Sequence, residues 1–111
     1  MKFLTISKMK DTTSTVPPSV MRQLMEATVD VMKQESKTGK VLEYYFIPGW
    51  DRMIAISEVK SAEEIVQLLS NLPVGGFLDF EIYPLADAFD SMKTYIESMK
   101  AAEKMFPGPP K

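Results

Sequence analysis

KVLEYYFI (Lys40–Ile47) and RMIAISEV (Arg52–Val59) are two runs rich in β-branched and aromatic residues, separated by a short break that holds Pro48-Gly49. The runs favour extended backbone and the break favours a turn, so the pair reads as an antiparallel hairpin. Beyond it, Ser61–Asn71 reads as a helix, with Ser61 and Glu64 at capping-box spacing and an apolar stripe of Ile65, Leu68, Leu69 and Leu72. Asn71-Leu72-Pro73 ends that helix and Gly75-Gly76 allows a sharp turn. Phe77–Tyr83 (FLDFEIY) then reads as a further strand. The rest of the chain has to fit around this strand, turn, strand, helix, strand unit between Gly39 and Leu85.

Upstream, Lys2–Met9 (KFLTISKM) alternates Phe3, Thr5 and Ser7 against Leu4 and Ile6, the pattern of a strand inside a sheet. Asp11–Pro18 is a polar connection, and Pro17-Pro18 suits the first turn of a helix, where no backbone N–H is needed. Ser19–Lys37 places Val20, Leu24, Ala27 and Val31 on one helical face, flanked by Met21, Thr28 and Met32. Gly39 is a stop signal just past its end. Downstream, Asp87–Met105 carries a stripe of Phe89, Met92, Ile96, Met99 and Ala102, with Tyr95 beside it. Pro107-Gly108-Pro109-Pro110 stops this third helix and opens a disordered tail over 107–111.

The order β-α-β-β-α-β plus a C-terminal helix predicts one ferredoxin-like α+β domain over 1–106, with two helices on one face of a four-stranded antiparallel sheet. Leu78, Phe80 and Ile82 of the last strand point to the helices. Phe77, Asp79, Glu81 and Tyr83 point the other way, a mixture of aromatics and acids that suits a cleft or a partly covered surface. Simple pairing through the Pro48 turn sets Leu42, Tyr44 and Phe46 beside Met53, Ala55 and Ser57, facing away from the helices. A β-bulge reverses that assignment, because a slip of one residue flips every side chain.

With 111 residues the chain has material for one core. Its 45% hydrophobic and 25% charged residues are ordinary for a globular protein. A formal charge of −2 and a pI near 5.1 argue against a nucleic-acid partner. No apolar run approaches the ~20 residues that cross a bilayer, and Lys2 does not open a signal-peptide pattern. The expectation is a cytoplasmic protein with no membrane partner. There is no Cys and no His. Thiolate chemistry, thiolate-bound metals and the usual imidazole base are therefore absent, and haem would lack its common axial ligands. Catalysis has to rest on carboxylates, Tyr, Lys, Arg or a bound cofactor.

Asp79 and Glu81, two apart on a strand, leave the same face about 7 Å apart. They read as a base with a second carboxylate that shapes its pKa, or as two acids solvating an exposed face. Tyr44 can donate to a developing enolate, or simply pack with its hydroxyl at the rim. Trp50 and Arg52, at the hairpin tip, can close over a flat ligand and anchor a carboxylate or carbonyl. Trp50 equally suits an interface anchor.

The central stretch resembles the muconolactone isomerase family. The resemblance is carried by Gly39, Ile47 and Gly49 around the hairpin, and by Val59, Ser61 and Glu63 before and into the second helix. Leu69, Leu72-Pro73, Asp79, Glu81 and Leu85 complete it. It implies a dimeric α+β barrel that works without metal or organic cofactor and shifts a double bond by moving a proton next to a carbonyl. The partners implied are a second copy of the chain and a small organic molecule. Where the family's isomerase carries basic and His residues, this chain has Leu42, Glu43, Tyr45, Phe46 and Trp50, so the implied ligand is less charged. On this reading Glu81, Asp79 and Tyr44 are the candidate catalytic residues. Trp50, Arg52, Phe77 and Tyr83 are the candidate ligand-binding residues. The alternative is a ligand-binding or assembly module without turnover. Because one layer of helices cannot also cover the Phe77–Tyr83 face, light scattering at micromolar concentration is expected to show at least a dimer rather than a 12.5 kDa monomer.

Overall fold

The computed structural model describes residues 1–109, the Thr12 side chain excepted. Strands β1 (Lys2–Met9), β2 (Val41–Ile47), β3 (Arg52–Glu58) and β4 (Leu78–Leu85) alternate with helices α1 (Pro18–Lys37), α2 (Ala62–Ser70) and α3 (Ala88–Met105) in the predicted order. Short 3₁₀ turns occupy Asp11–Thr15 and Gly75–Phe77. Phe77, expected on the last strand, therefore belongs to the turn before it: two successive glycines let the chain coil once more before extending. Pro107–Pro109 follow α3 without helix or strand, and the Pro110 and Lys111 part of the expected tail lies outside the described residues. Among the described residues no helix is long and apolar enough to cross a membrane.

The four strands form one antiparallel sheet in the order β2-β3-β1-β4, the ferredoxin-like arrangement. Both edges are blunted. β2 carries a register shift between Val41 and Glu43, and β4 carries Pro84, which has no N–H to offer a further strand. The hairpin loop places Gly49 at φ 82° and Asp51 at φ 50°, a left-handed conformation that glycine adopts without strain.

The register confirms that Tyr44 lies opposite Ala55 and Phe46 opposite Met53. The face expected for them is corrected. Ala55 and Met53 pair with Thr5 and Ser7 on the helix-covered side of β1, so their partners Tyr44 and Phe46 face the helices and Glu43 and Tyr45 take the open side; the extra residue at Leu42 brings Val41 to the helix side as well. Leu78 and Phe80 face the helices as expected.

The apolar core is small: Phe3, Val59 and Ile65 are buried together, with Leu68 and Leu69 packed on them. Around it the buried residues include hydroxyls, namely Thr5, Ser7, Thr28 and Ser57. Thr28, not an apolar residue, is the buried member of α1; Leu24, Ala27 and Val31 are half-buried and Val20 is exposed. The Thr28 hydroxyl donates to the Leu24 carbonyl (2.8 Å) and accepts from the Val74 N–H (3.1 Å), tying α1 to the loop ahead of β4. Thr28→Val keeps the shape and leaves that buried N–H without a partner, a loss of about 1–3 kcal/mol. Urea denaturation should show it, while Thr94→Val on exposed α3 should change little.

Candidate functional site

Between the sheet and the two inner helices lies a cavity of about 40 Å³, roomier than the ~10–15 Å³ a single water needs. Its floor is the sheet, where Tyr44, Ala55 and Thr5 lie side by side across β2, β3 and β1. Ala55, the small member of that row, leaves the space that the cavity uses. Ser7 and Ser57 add hydroxyls, Ile65, Leu68 and Leu69 of α2 form the roof, and Glu35 of α1 closes one side. The cavity shares Ser7, Thr28, Met32, Met53 and Leu78 with a wider groove of about 240 Å³. That groove opens between α1 and the hairpin, where Met25, Val29 and Phe46 are exposed.

Glu35 is the charged residue of the cavity wall. The Tyr44 hydroxyl donates to Glu35 Oε2 at 2.7 Å, while Glu35 Oε1 is buried without a hydrogen-bond partner. Burial pushes the carboxyl above its ordinary 4.5, and the Tyr44 hydrogen bond only partly offsets that rise. Tyr44 is pushed far above its ordinary 10, first by burial, then by its hydrogen bond to Glu35 and the charge on that carboxylate. The pair is thus a phenol that stays protonated and holds one carboxylate oxygen, leaving the other free to take a proton.

The residues singled out in the sequence divide between two places. Asp79, Glu81 and Arg52 meet on the opposite, open face of the sheet. There, with Ile6 and Lys8, they line a depression of about 130 Å³. Trp50 stands at its edge, its ring 5.0 Å from the Arg52 guanidinium carbon and its carbonyl accepting from Arg52 Nη1 at 3.1 Å. Tyr83 follows Glu81 on the same face and is exposed. Phe77 is half-buried in its 3₁₀ turn, its carbonyl accepting from the Lys10 N–H. Tyr44 is on the other side of the sheet, so the expected grouping of Tyr44 with Asp79 and Glu81 does not form. Sequence reading missed Glu35. The signal was there: the helical series Val20, Leu24, Ala27, Val31 continues four residues on to Glu35, a carboxylate at a core-facing position.

The fold and this site define a ferredoxin-like α+β domain with a buried acid–phenol pair in a cavity between helices and sheet. The sequence profile of the muconolactone delta-isomerase family matches residues 1–91, and the chain belongs to that family. A crystal structure of muconolactone isomerase superposes with a TM-score of 0.69 at 21% identity, covering 78% of this chain and 90% of that one. A structural-genomics protein from Agrobacterium tumefaciens reaches a TM-score of 0.40 at 15% identity, over 79% of this chain and 96% of its own. No curated protein matches the sequence.

The raised Glu35 carboxyl has a consequence for stability. Below the ordinary 4.5 the group is protonated whether the chain is folded or not. As pH rises from there, the unfolded chain releases this proton first, so stability falls until the raised folded value is passed. Glu35→Gln should flatten this part of the curve and leave the protein more stable than wild type near neutral pH. Urea midpoints measured across the pH range check both.

Proposed function

We propose that the protein is a cofactor-free isomerase of a small, uncharged, unsaturated carbonyl compound, with Glu35 as its base. The unpartnered Glu35 Oε1 in the cavity wall carries this reading. Oε1 takes the proton from the carbon next to the carbonyl, and the C–H electrons move into a dienolate. The same carboxyl then returns the proton two carbons further on, so the double bond ends in conjugation with the carbonyl and no other reactant is consumed. Tyr44 positions the carboxylate, while the hydroxyls of Thr5, Ser7 and Ser57 offer donors to the enolate oxygen. The base is assigned to Glu35 rather than to Asp79 or Glu81, because those two are exposed and share their depression with Lys8 and Arg52.

The family relationship supports the reaction class, and the cavity narrows the substrate. No Lys or Arg lines it, so nothing there neutralises a substrate carboxylate, and Glu35 repels one. α-Angelica lactone, a neutral β,γ-unsaturated lactone, is a suitable probe. In D₂O the protein should exchange its α-hydrogen and form the conjugated isomer by NMR, whereas muconolactone, which bears a carboxylate, should react at least ~10-fold more slowly. Glu35→Gln should lower the exchange rate by about 10²–10⁴. Ala55→Leu should abolish binding with the fold retained, because its added carbons fill the space beside Tyr44. Binding without exchange would move the protein to a non-catalytic ligand carrier, and faster turnover of muconolactone would refute the neutral-substrate reading.

The open sheet face supports self-association. Tyr45, Tyr83 and Leu85 are exposed there, and Leu4, Ile6, Ile54 and Ile56 are half-buried in the single chain. A second copy laid face to face covers this field and encloses the depression that holds Asp79, Glu81 and Arg52, as a dimeric barrel requires.

A further inference from the structure

The cavity beside Glu35 holds only one end of a ligand. At ~10–15 Å³ for each water-sized group, its volume of about 40 Å³ takes roughly three or four such groups, fewer than the ring and carbonyl of a lactone. Whatever binds there extends beyond it, and the shared wall of Ser7, Thr28, Met32, Met53 and Leu78 leads into the groove of about 240 Å³ between α1 and the hairpin.

We infer that the substrate carries an alkyl tail, which leaves the cavity across Met53 and lies in the Met25–Val29–Phe46 groove. The inference rests on the proposal that a neutral carbonyl end binds beside Glu35, and it adds the other half of the ligand. The sheet sets the direction and length of that half. Tyr44, Ala55 and Thr5 form one row across β2, β3 and β1, and Phe46, Met53 and Ser7 form the next. Met9, one row further again, ends the groove. From Thr5 to Met9 the strand advances about 14 Å. An extended carbon chain advances about 1.2 Å per bond, a third of the extended residue repeat, so beyond the ring the groove takes roughly six to eight carbons.

The lining suits such a tail. Met9, Met25, Met32 and Met53, four of the chain's nine methionines, belong to it, and their flexible thioethers reshape around an apolar guest. Its charged residues are Lys8 and Asp51, of opposite sign and both at the outer end of the strands. A carboxylate or ammonium midway along the tail would therefore be desolvated without a partner. Met25, Val29 and Phe46 are 45%, 45% and 62% exposed in the empty groove. A tail removes that apolar area from water at a gain that grows with its length.

Saturated γ-butyrolactones carrying methyl, butyl, hexyl or octyl chains cannot isomerise, so their binding reports the groove alone. Calorimetric titration of the full chain should show affinity rising about two- to fourfold for each added CH₂, and levelling between hexyl and octyl. Val29→Asp, at an exposed position that tolerates a charge, should remove this gain and bring the hexyl and methyl lactones within about twofold of each other. Phe46→Ala, which cuts back the opposite bank without adding charge, should lower the gain as well. Affinity that ignores chain length would show the groove closed or filled by protein, a second copy included, and overturn the inference. A gain that survives both substitutions would place the tail elsewhere and overturn it too. The two proposals part in D₂O. A hexyl-bearing β,γ-unsaturated lactone that binds by this pattern but exchanges no α-hydrogen would refute Glu35 as base and leave the tail site standing. Exchange with no effect of chain length would do the reverse.

Discussion

Residues directly opposite each other in an antiparallel sheet share a face, so a row of partners decides which side of the sheet a tyrosine serves. In β2 Tyr44 lies opposite Ala55, and Ala55 lies opposite Thr5, which is buried under the helices. That row sets Tyr44 under α1, within 2.7 Å of Glu35. The bulge at Leu42 leaves the pairing intact and brings Val41 to the same wall. The cavity, its polar pair and the perturbed protonation of both members follow from that row. The same bulge blunts an edge strand, as Pro84 does at the other edge, so neither edge offers a regular ladder to a further strand.

The sheet separates two chemistries. Its helix-facing side is lined by Thr5, Ser7 and Ser57 where a simple core would hold Val or Ile. This trades apolar burial for hydrogen-bonding capacity and accounts for a core centred on Phe3, Val59 and Ile65. Its open side pairs an apolar field with the charged group of Lys8, Arg52, Asp79 and Glu81. Charges of both signs in one depression compensate each other, whereas Glu35 has only a phenol for company. Burial accordingly raises the Glu35 carboxyl above its ordinary value.

Much of this was legible in the sequence. β1 runs over the residues its alternation marks out, the Ser61 cap accepts from the Glu64 N–H, and Gly39 ends α1 in the left-handed conformation its position demands. The face of β2 was not legible, because it depends on which side of β3 the helices cover, and that is set by the long-range pairing of Ala55 with Thr5 rather than by any local pattern in KVLEYYFI. Glu35 escaped for a different reason. A helical stripe is followed through its apolar members, and this one was followed only as far as Val31, although the next position inward is the carboxylate on which the site turns. Phe77 was assigned to a strand by its own β-propensity, and the glycines before it kept it in a 3₁₀ turn instead.

α3 has no buried residue, and Phe89, Tyr95 and Met99 of its apolar stripe are exposed, which bears on when it is a helix at all. An 18-residue segment without tertiary packing is marginally helical in water, because nucleation is costly and propensity alone repays it slowly. Its Asp87 cap and Asp90 in the first turn help, but only by about a kilocalorie per mole each. The order of Ala88–Met105 is then tied to whatever covers its apolar stripe. Where that cover is a second copy of the chain, winding and association proceed together, and ellipticity itself becomes a function of how much protein is present.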